Sequence, residues 1–394
     1  MRERILLALI LGVDALVLFY QVSTLSITAN EASTLYEGHS FIQYIINYSL
    51  LLFGQNDYAL RTPMIIFHLL SAILLYGVSK SYVKRNSDRL WVVLVFVLLP
   101  GVISSALLVN SAGIVIFTLF LLLYLYQKKS SLIPLFLILL IGIDGAYALL
   151  YLAIFVYAFK KNNVFYMLLS IILLAGMFYF YTFDTTGKPS GHFLDVLGLY
   201  ATIFSPVIFI YIVYTLYRKM ISKEYDILLY IGGVVFVVSM VLSFRQNIQI
   251  ESFAPYLMLL LPLTAQTFFS SYRVRLRQFR GRYRILLSMG FATLAFHFLL
   301  LLFNPFLYLV LEDPKRNFAY KAHIVKELAG ELHTNNINCV SAESDNLQLR
   351  LRFYGITECE THVLYEVPKD IDSDVTISYV GRKVASFNVT KSPI

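Results

Sequence analysis

The residues of this chain whose types could do chemistry gather where long apolar segments end. Glu31 stands in Thr28-Ala29-Asn30-Glu31-Ala32, just after the first apolar segment. Glu37 and His39 follow, and Arg61 opens the second segment in Leu60-Arg61-Thr62-Pro63. Asp144 lies where the fifth segment turns into the sixth, and Arg245 and Glu251 lie between the ninth and the tenth. A carboxylate with one or two guanidinium groups is what glycosyl transfer from a phosphate-linked donor requires. The carboxylate deprotonates or orients the acceptor, and the guanidinium grips the departing phosphate in bidentate fashion. Each residue also has a plainer reading. Arg61, Lys188 and Arg245 can bind lipid head groups, Glu31 and Glu37 can be solvated loop residues, and Asp144-Gly145 can be turn chemistry.

The elements that must position these groups are set by composition. Of the 394 residues 58% are hydrophobic and 14% charged, and the mean hydropathy is +0.69, well to the apolar side of a soluble domain. The excess falls in runs of roughly 17 to 25 residues, the length that crosses a hydrocarbon core about 30 Å thick. Without water there, such runs must be helices. We place spans at 5–25, 58–80, 90–109, 111–127, 131–145, 146–159, 163–182, 198–217, 226–243, 254–270 and 285–310. The first lacks a small-residue cleavage pattern and reads as retained rather than as a signal peptide.

Charge sorts by side. One set of loops carries Arg2, Arg4, Lys80, Lys84, Arg85, Arg89, Lys128, Lys129, Lys160, Lys161, Arg218, Lys219, Lys223 and the arginines between Arg273 and Arg284. The opposite loops hold mostly acids. By the positive-inside rule the N-terminus is cytoplasmic and the C-terminus outside. The net charge of +8 then marks a surface facing anionic lipid, not a nucleic-acid partner.

Three extracytoplasmic segments stand out. In 26–57, residues His39–Phe53 put Ser40, Gln43 and Asn47 on one face and apolar residues over the rest, an interfacial amphipathic helix. The stretch Phe183–Leu197 is an irregular loop with Gly187, Pro189 and Gly191. The tail 312–394 is polar, with a helical pattern over Phe318–His333. Strand-like runs follow at Ile337–Ser341, Leu347–Phe353, Val363–Val367, Val375–Tyr379 and Lys383–Val389. Its two cysteines, Cys339 and Cys359, could close a disulfide loop of roughly twenty residues in an oxidising compartment, or stay as buried thiols.

Asp14 falls inside the first span, where a carboxylate is uncommon and often functional, though hydrogen bonds from neighbouring helices could hold it. His68 and His297 read as packed polar residues. The tail has no metal-ligand cluster and no phosphate-binding glycine loop, and no repeat of 20–50 residues is evident. The expectation is an all-α polytopic membrane protein of about eleven transmembrane helices (1–311) with a small extracytoplasmic α+β domain (312–394).

Taken together, these features resemble the GT-C superfamily of membrane glycosyltransferases, nearest the protein O-mannosyltransferases and the lipid A aminoarabinose transferases. That family carries an Asp-Glu-Ala motif after the first span, matched here by Asn30-Glu31-Ala32, and an Arg-x-Pro opening of the second, matched by Arg61-Thr62-Pro63. Leu99-Pro100-Gly101, Pro255 to Pro262, and Leu351-Arg352-Phe353-Tyr354-Gly355 match further family segments. Three positions depart from the pattern. Asn30 replaces the family's catalytic aspartate, Asn110 a second acidic residue, and Asp144 a lysine.

The resemblance implies a polyprenyl-phosphate sugar donor, a lipid or protein acceptor, and transfer at the outer face of a bacterial inner membrane. Glu31 or Asp144 would be the base, and Asn30, Glu37, His39, Arg61, Asn110, Arg245 and Glu251 would line the substrates. No cofactor is implied with assurance, and a divalent metal stays open. Two other classes stay open: a non-catalytic relative that binds lipid-linked glycan or supports an assembly, favoured by Asn30 and Asn110, and a transporter or flippase.

Overall fold

A computed structural model describes residues 2–38, 40–181, 191–223, 226–368 and 373–391. It is mostly helical with one small C-terminal sheet, and the chain forms two compact units. Unit 1 comprises 1–15, 66–106 and 111–298; unit 2 comprises 16–65, 107–110 and 299–394.

Three helices are long and apolar enough to cross a membrane: Arg2–Thr24, Asp57–Ser81 and Arg277–Leu302. Three more expected spans are bent pairs, Asn86–Leu98 with Pro100–Leu107 (60°), Phe193–Phe204 with Pro206–Ile221 (108°), and Ile250–Met258 with Leu261–Val274 (42°). Proline accounts for the first two breaks. Its ring disfavours helical backbone at the preceding residue and removes a donor, so Leu99 before Pro100 is extended and Ser205 before Pro206 takes φ +64°. Four shorter apolar helices, Ser111–Gln127, Tyr147–Lys160, Val164–Phe180 and Ile227–Ser243, match further spans. The expected span 131–145 is regular only over Ile133–Leu140.

Within unit 1 the helices pack closely through small residues. A Cβ on Gly101 would lie 2.4 Å from Ile203, and one on Gly232 2.7 Å from Leu260. Helices Tyr147–Lys160 and Ile227–Ser243 run antiparallel, since Tyr157 near the end of one stacks edge-on with Tyr230 near the start of the other. That end collects the basic loops: Tyr82 donates to Asp226 (3.1 Å), Arg218 to Ser271 (2.9 Å), and Arg273 pairs with Asp88. Asp14 is held by His68, Nε2 to Oδ2 2.6 Å, and His297 Nδ1 lies 2.7 Å from the Thr293 carbonyl, so both histidines are packed polar residues.

In unit 2 the C-terminal sheet has strands β1 (Ser341–Ala342), β2 (His362–Glu366), β3 (Val375–Tyr379) and β4 (Arg382–Lys391), in the order β1-β2-β4-β3. β1 and β2 are parallel; the other pairs are antiparallel. β3 and β4 join through Val380 and Gly381, both at positive φ as a type I′ hairpin requires. Helix Tyr320–Thr334 covers one face, packing Val325, Leu328 and Leu332 with Leu364, Ile377 and Val384. Cys339 and Cys359 form a disulfide.

Two expected strands differ: Ile337–Ser341 is strand only from Ser341, with an isolated bridge at Cys339, and a second is helical. Leu347–Phe353 belongs to a helix, Asp345–Phe353, capped by Ser344, whose hydroxyl accepts from Leu347 N (3.4 Å). Alternation over so short a run fits both periods, and the cap with Leu347 and Leu351 on one face decides for helix. The expected helix from His39 starts at Phe41 and buries Ile42, Ile46 and Ser49, leaving Tyr44, Tyr48 and Leu51 exposed.

His323 lies fully buried under the sheet, its Nδ1 2.9 Å from the Tyr308 hydroxyl. Burial pulls its pKa from 6.5 down to about 4. The unfolded chain therefore binds this proton through a window in which the folded one does not, and stability falls as pH drops from about 6.5 to about 4. Opening free energies of helix Tyr320–Thr334, from hydrogen exchange, should fall by up to about 3 kcal/mol across that window in the native chain. His323→Leu should flatten the profile; equal slopes in the two proteins would sink the assignment.

Candidate functional site

The first turn after helix Arg2–Thr24 is tied down by charge. Thr28 caps a helix, Ala29–Tyr36, through a capping box in which Glu31 N donates to the Thr28 hydroxyl (3.3 Å) and Thr28 N donates to Glu31 Oε2 (2.8 Å). The same carboxylate meets Arg61 from helix Asp57–Val78: Nε to Oε1 3.1 Å and Nη2 to Oε2 2.9 Å. Val109 N gives Oε1 a fourth bond at 3.0 Å. Arg61 spends its remaining donors on the carbonyls of Leu25 and Ser26, both 2.8 Å. Glu31 is 1% exposed and Arg61 not at all. Glu31 accepts four hydrogen bonds and Arg61 donates four, the dense pairing that a buried ion pair needs to offset its desolvation.

The C-terminal segment holds the same turn from its other side. Arg350 Nε donates to the Ile27 carbonyl (2.8 Å) and Nη2 to that of Lys321; burial draws this guanidinium down to about 10. Tyr354 accepts from Ile27 N (2.9 Å) and donates to Asp57 Oδ1 (2.7 Å), while Lys326 pairs with Asp57 Oδ2 (3.0 Å). Burial, with Asp57 beside it, keeps the Tyr354 phenol far above its ordinary range. Ser26 donates through its hydroxyl to Ala322 O at 2.7 Å, and Arg352 stacks 4.5 Å over the Tyr36 ring. The stretch around Tyr354 is thus an anchor.

Glu31 and Arg61 are therefore brought together, and in this conformation neither has a free face for a substrate. Asn30 and Glu37 are exposed on or beside the same helix. Asn110 has a buried side-chain oxygen with no partner among the described residues. His39 lies outside the described residues, as do Gly187, Lys188 and Pro189 of the expected irregular loop.

Asp144, Arg245 and Glu251 share one end of unit 1, away from the basic loops. The antiparallel helices put the Asp144 turn and Arg245 there, and Tyr256, five residues beyond Glu251, donates to the Ala146 carbonyl at 2.8 Å. Asp144 Oδ1 accepts from Ala146 N at 2.7 Å, and its carboxylate also bonds the Ser111 hydroxyl. Arg245 and Glu251 are exposed. Sequence reasoning missed the anchoring residues Arg350 and Lys326, which carry no local motif.

The architecture is a mostly helical body with a helix just after the first long one and a small C-terminal α+β element. The chain is similar in fold to ArnT from Cupriavidus metallidurans in two solved states. For the apo form the TM-score is 0.56 at 12% identity, over 88% of this chain and 84% of ArnT. For the form bound to undecaprenyl phosphate it is 0.55 at 12% identity, over 98% and 99%. No protein-family profile and no curated protein sequence matches the chain.

If the Glu31–Arg61 pair is structural, single truncation strands a buried charge. Arg61→Ala or Glu31→Ala should each cost about 3–5 kcal/mol, and Glu31→Leu/Arg61→Met should recover part of it. Thermal unfolding in detergent measures this. A double variant as unstable as the sum of the singles would contradict the pairing.

Proposed function

We propose that the chain is an inner-membrane glycosyltransferase that moves a sugar from a polyprenyl-phosphate carrier to a lipid or protein acceptor at the outer face. The observation that carries this reading is the fold likeness to undecaprenyl-phosphate-bound ArnT over 98% of the chain. The gathering of basic loops at one end of unit 1 supports an orientation with that end cytoplasmic. Eleven spans, an outward C-terminal segment and an interfacial helix Phe41–Phe53 complete the topology.

In this reading Arg245, exposed at the opposite end, takes the donor phosphate. Glu251, exposed on the same unit, contacts sugar or acceptor. Asp144, only partly covered, is the better base, because Glu31 is saturated by four donors. Glu31 and Arg61 then act as positioning residues that fix the first outer loop.

A second reading has a specific observation behind it. Asn30 and Asn110 stand where the family carries acids, and Glu31 is committed to Arg61. That combination suits a relative that binds lipid-linked glycan without transferring it.

Mass spectrometry of surface glycans, lipid A and envelope glycoproteins separates the two. The deletion strain should lack one sugar-sized mass, Asp144→Asn and Arg245→Gln should restore less than about a hundredth of it, and Glu31→Gln should restore whatever its folded fraction allows. Unchanged masses in the deletion strain would favour the non-transferring reading. Full restoration by Asp144→Asn would remove Asp144 as the base.

A further inference from the structure

Four helices of unit 1, Asn86–Leu98, Pro206–Ile221, Leu261–Val274 and Gly281–Leu302, enclose an apolar cleft of about 700 Å³. Trp91, Val207, Tyr211 and Phe291 form much of its wall. Phe268, Phe269 and Leu287 line it too, and these three also line a second cavity of about 900 Å³ at the basic end. The walls of that cavity carry Arg85, Arg273, Arg280 and Arg284, with Asp88 the single carboxylate. Asp88 is buried and already paired with Arg273. Arg280 is braced by the carbonyls of Arg275 (2.9 Å) and Arg273 (3.2 Å) and stacks 5.3 Å over Tyr272. Arg284 lies beside Tyr272, and Arg85 and Arg284 are exposed.

An apolar cleft opening onto guanidinium groups matches an amphiphile with an anionic head. A soluble phosphate gains nothing from the cleft, and a neutral lipid little from the arginines. We propose that the joined cavities form a specific site for an anionic phospholipid of the surrounding bilayer. Its phosphate is held by Arg85, Arg280 and Arg284, and an acyl chain lies in the cleft beside Gly290. The site stands on unit 1 alone and does not depend on the transfer reaction.

Native mass spectrometry of the purified full chain, with phosphatidylglycerol and phosphatidylcholine as probes, tests this. Wild type should retain phosphatidylglycerol in preference. Arg85→Gln/Arg284→Gln should cut that retention roughly tenfold. Gly290→Leu should do the same by filling the cleft, since a Cβ there already reaches 3.8 Å from Val207. Arg277→Gln/Arg282→Gln removes the same charge from the same stretch outside the pocket and should change retention less than about twofold. An equal loss in that control pair would reduce the site to diffuse surface attraction. Retention unchanged in Gly290→Leu would overturn the chain's placement. Displacement of the lipid by millimolar inorganic phosphate would make it an anion site, and polyprenyl-phosphate binding that Arg85→Gln/Arg284→Gln abolishes would overturn the choice of a bilayer phospholipid.

Discussion

The buried ion pair between Glu31 and Arg61 is the constraint on which unit 2 is built. It joins the turn after the first helix to the start of the second long one, and it recruits the backbone of Leu25, Ser26, Thr28 and Val109 in doing so. A pair this enclosed is stable only when both partners are saturated, and here the backbone supplies what the side chains lack. The C-terminal segment then closes on the same turn through Arg350, Tyr354 and Lys326. The turn after the first helix is thereby fixed from two directions.

Unit 1 is organised by a different economy. Prolines set the bends, glycines permit the close approaches, and the antiparallel run of helices separates the basic loops from the end that carries Asp144, Arg245 and Glu251. Basic residues collect at one end, while Asp144, Glu251 and the exposed Arg245 stand at the other.

Much of this was legible in the residues. Apolar runs located nearly every helix of unit 1, because hydrophobic length is imposed by the bilayer and not by tertiary detail. Leu347–Phe353 misled because seven residues alternate equally well for a strand and for a helix whose cap lies just upstream. Glu31 is more instructive. Thr28-x-x-Glu31 is a capping-box signature and was available in the sequence, but an acid after a first span reads as chemistry when the helix behind it is not expected. Its partner Arg61 reads in the sequence as a ligand for the donor phosphate or for lipid head groups, not as a partner of Glu31. The bond from Tyr354 to Asp57 spans 297 positions, and no local pattern could have announced it.

Whether the fold carries a phosphate-linked donor is best tested by phosphorus NMR of the purified chain in nanodiscs of neutral lipid, titrated with a polyprenyl phosphate. The account predicts a second, bound resonance that Arg245→Gln abolishes and Arg284→Gln leaves in place. A spectrum with free lipid alone, or a bound signal indifferent to Arg245, would contradict it.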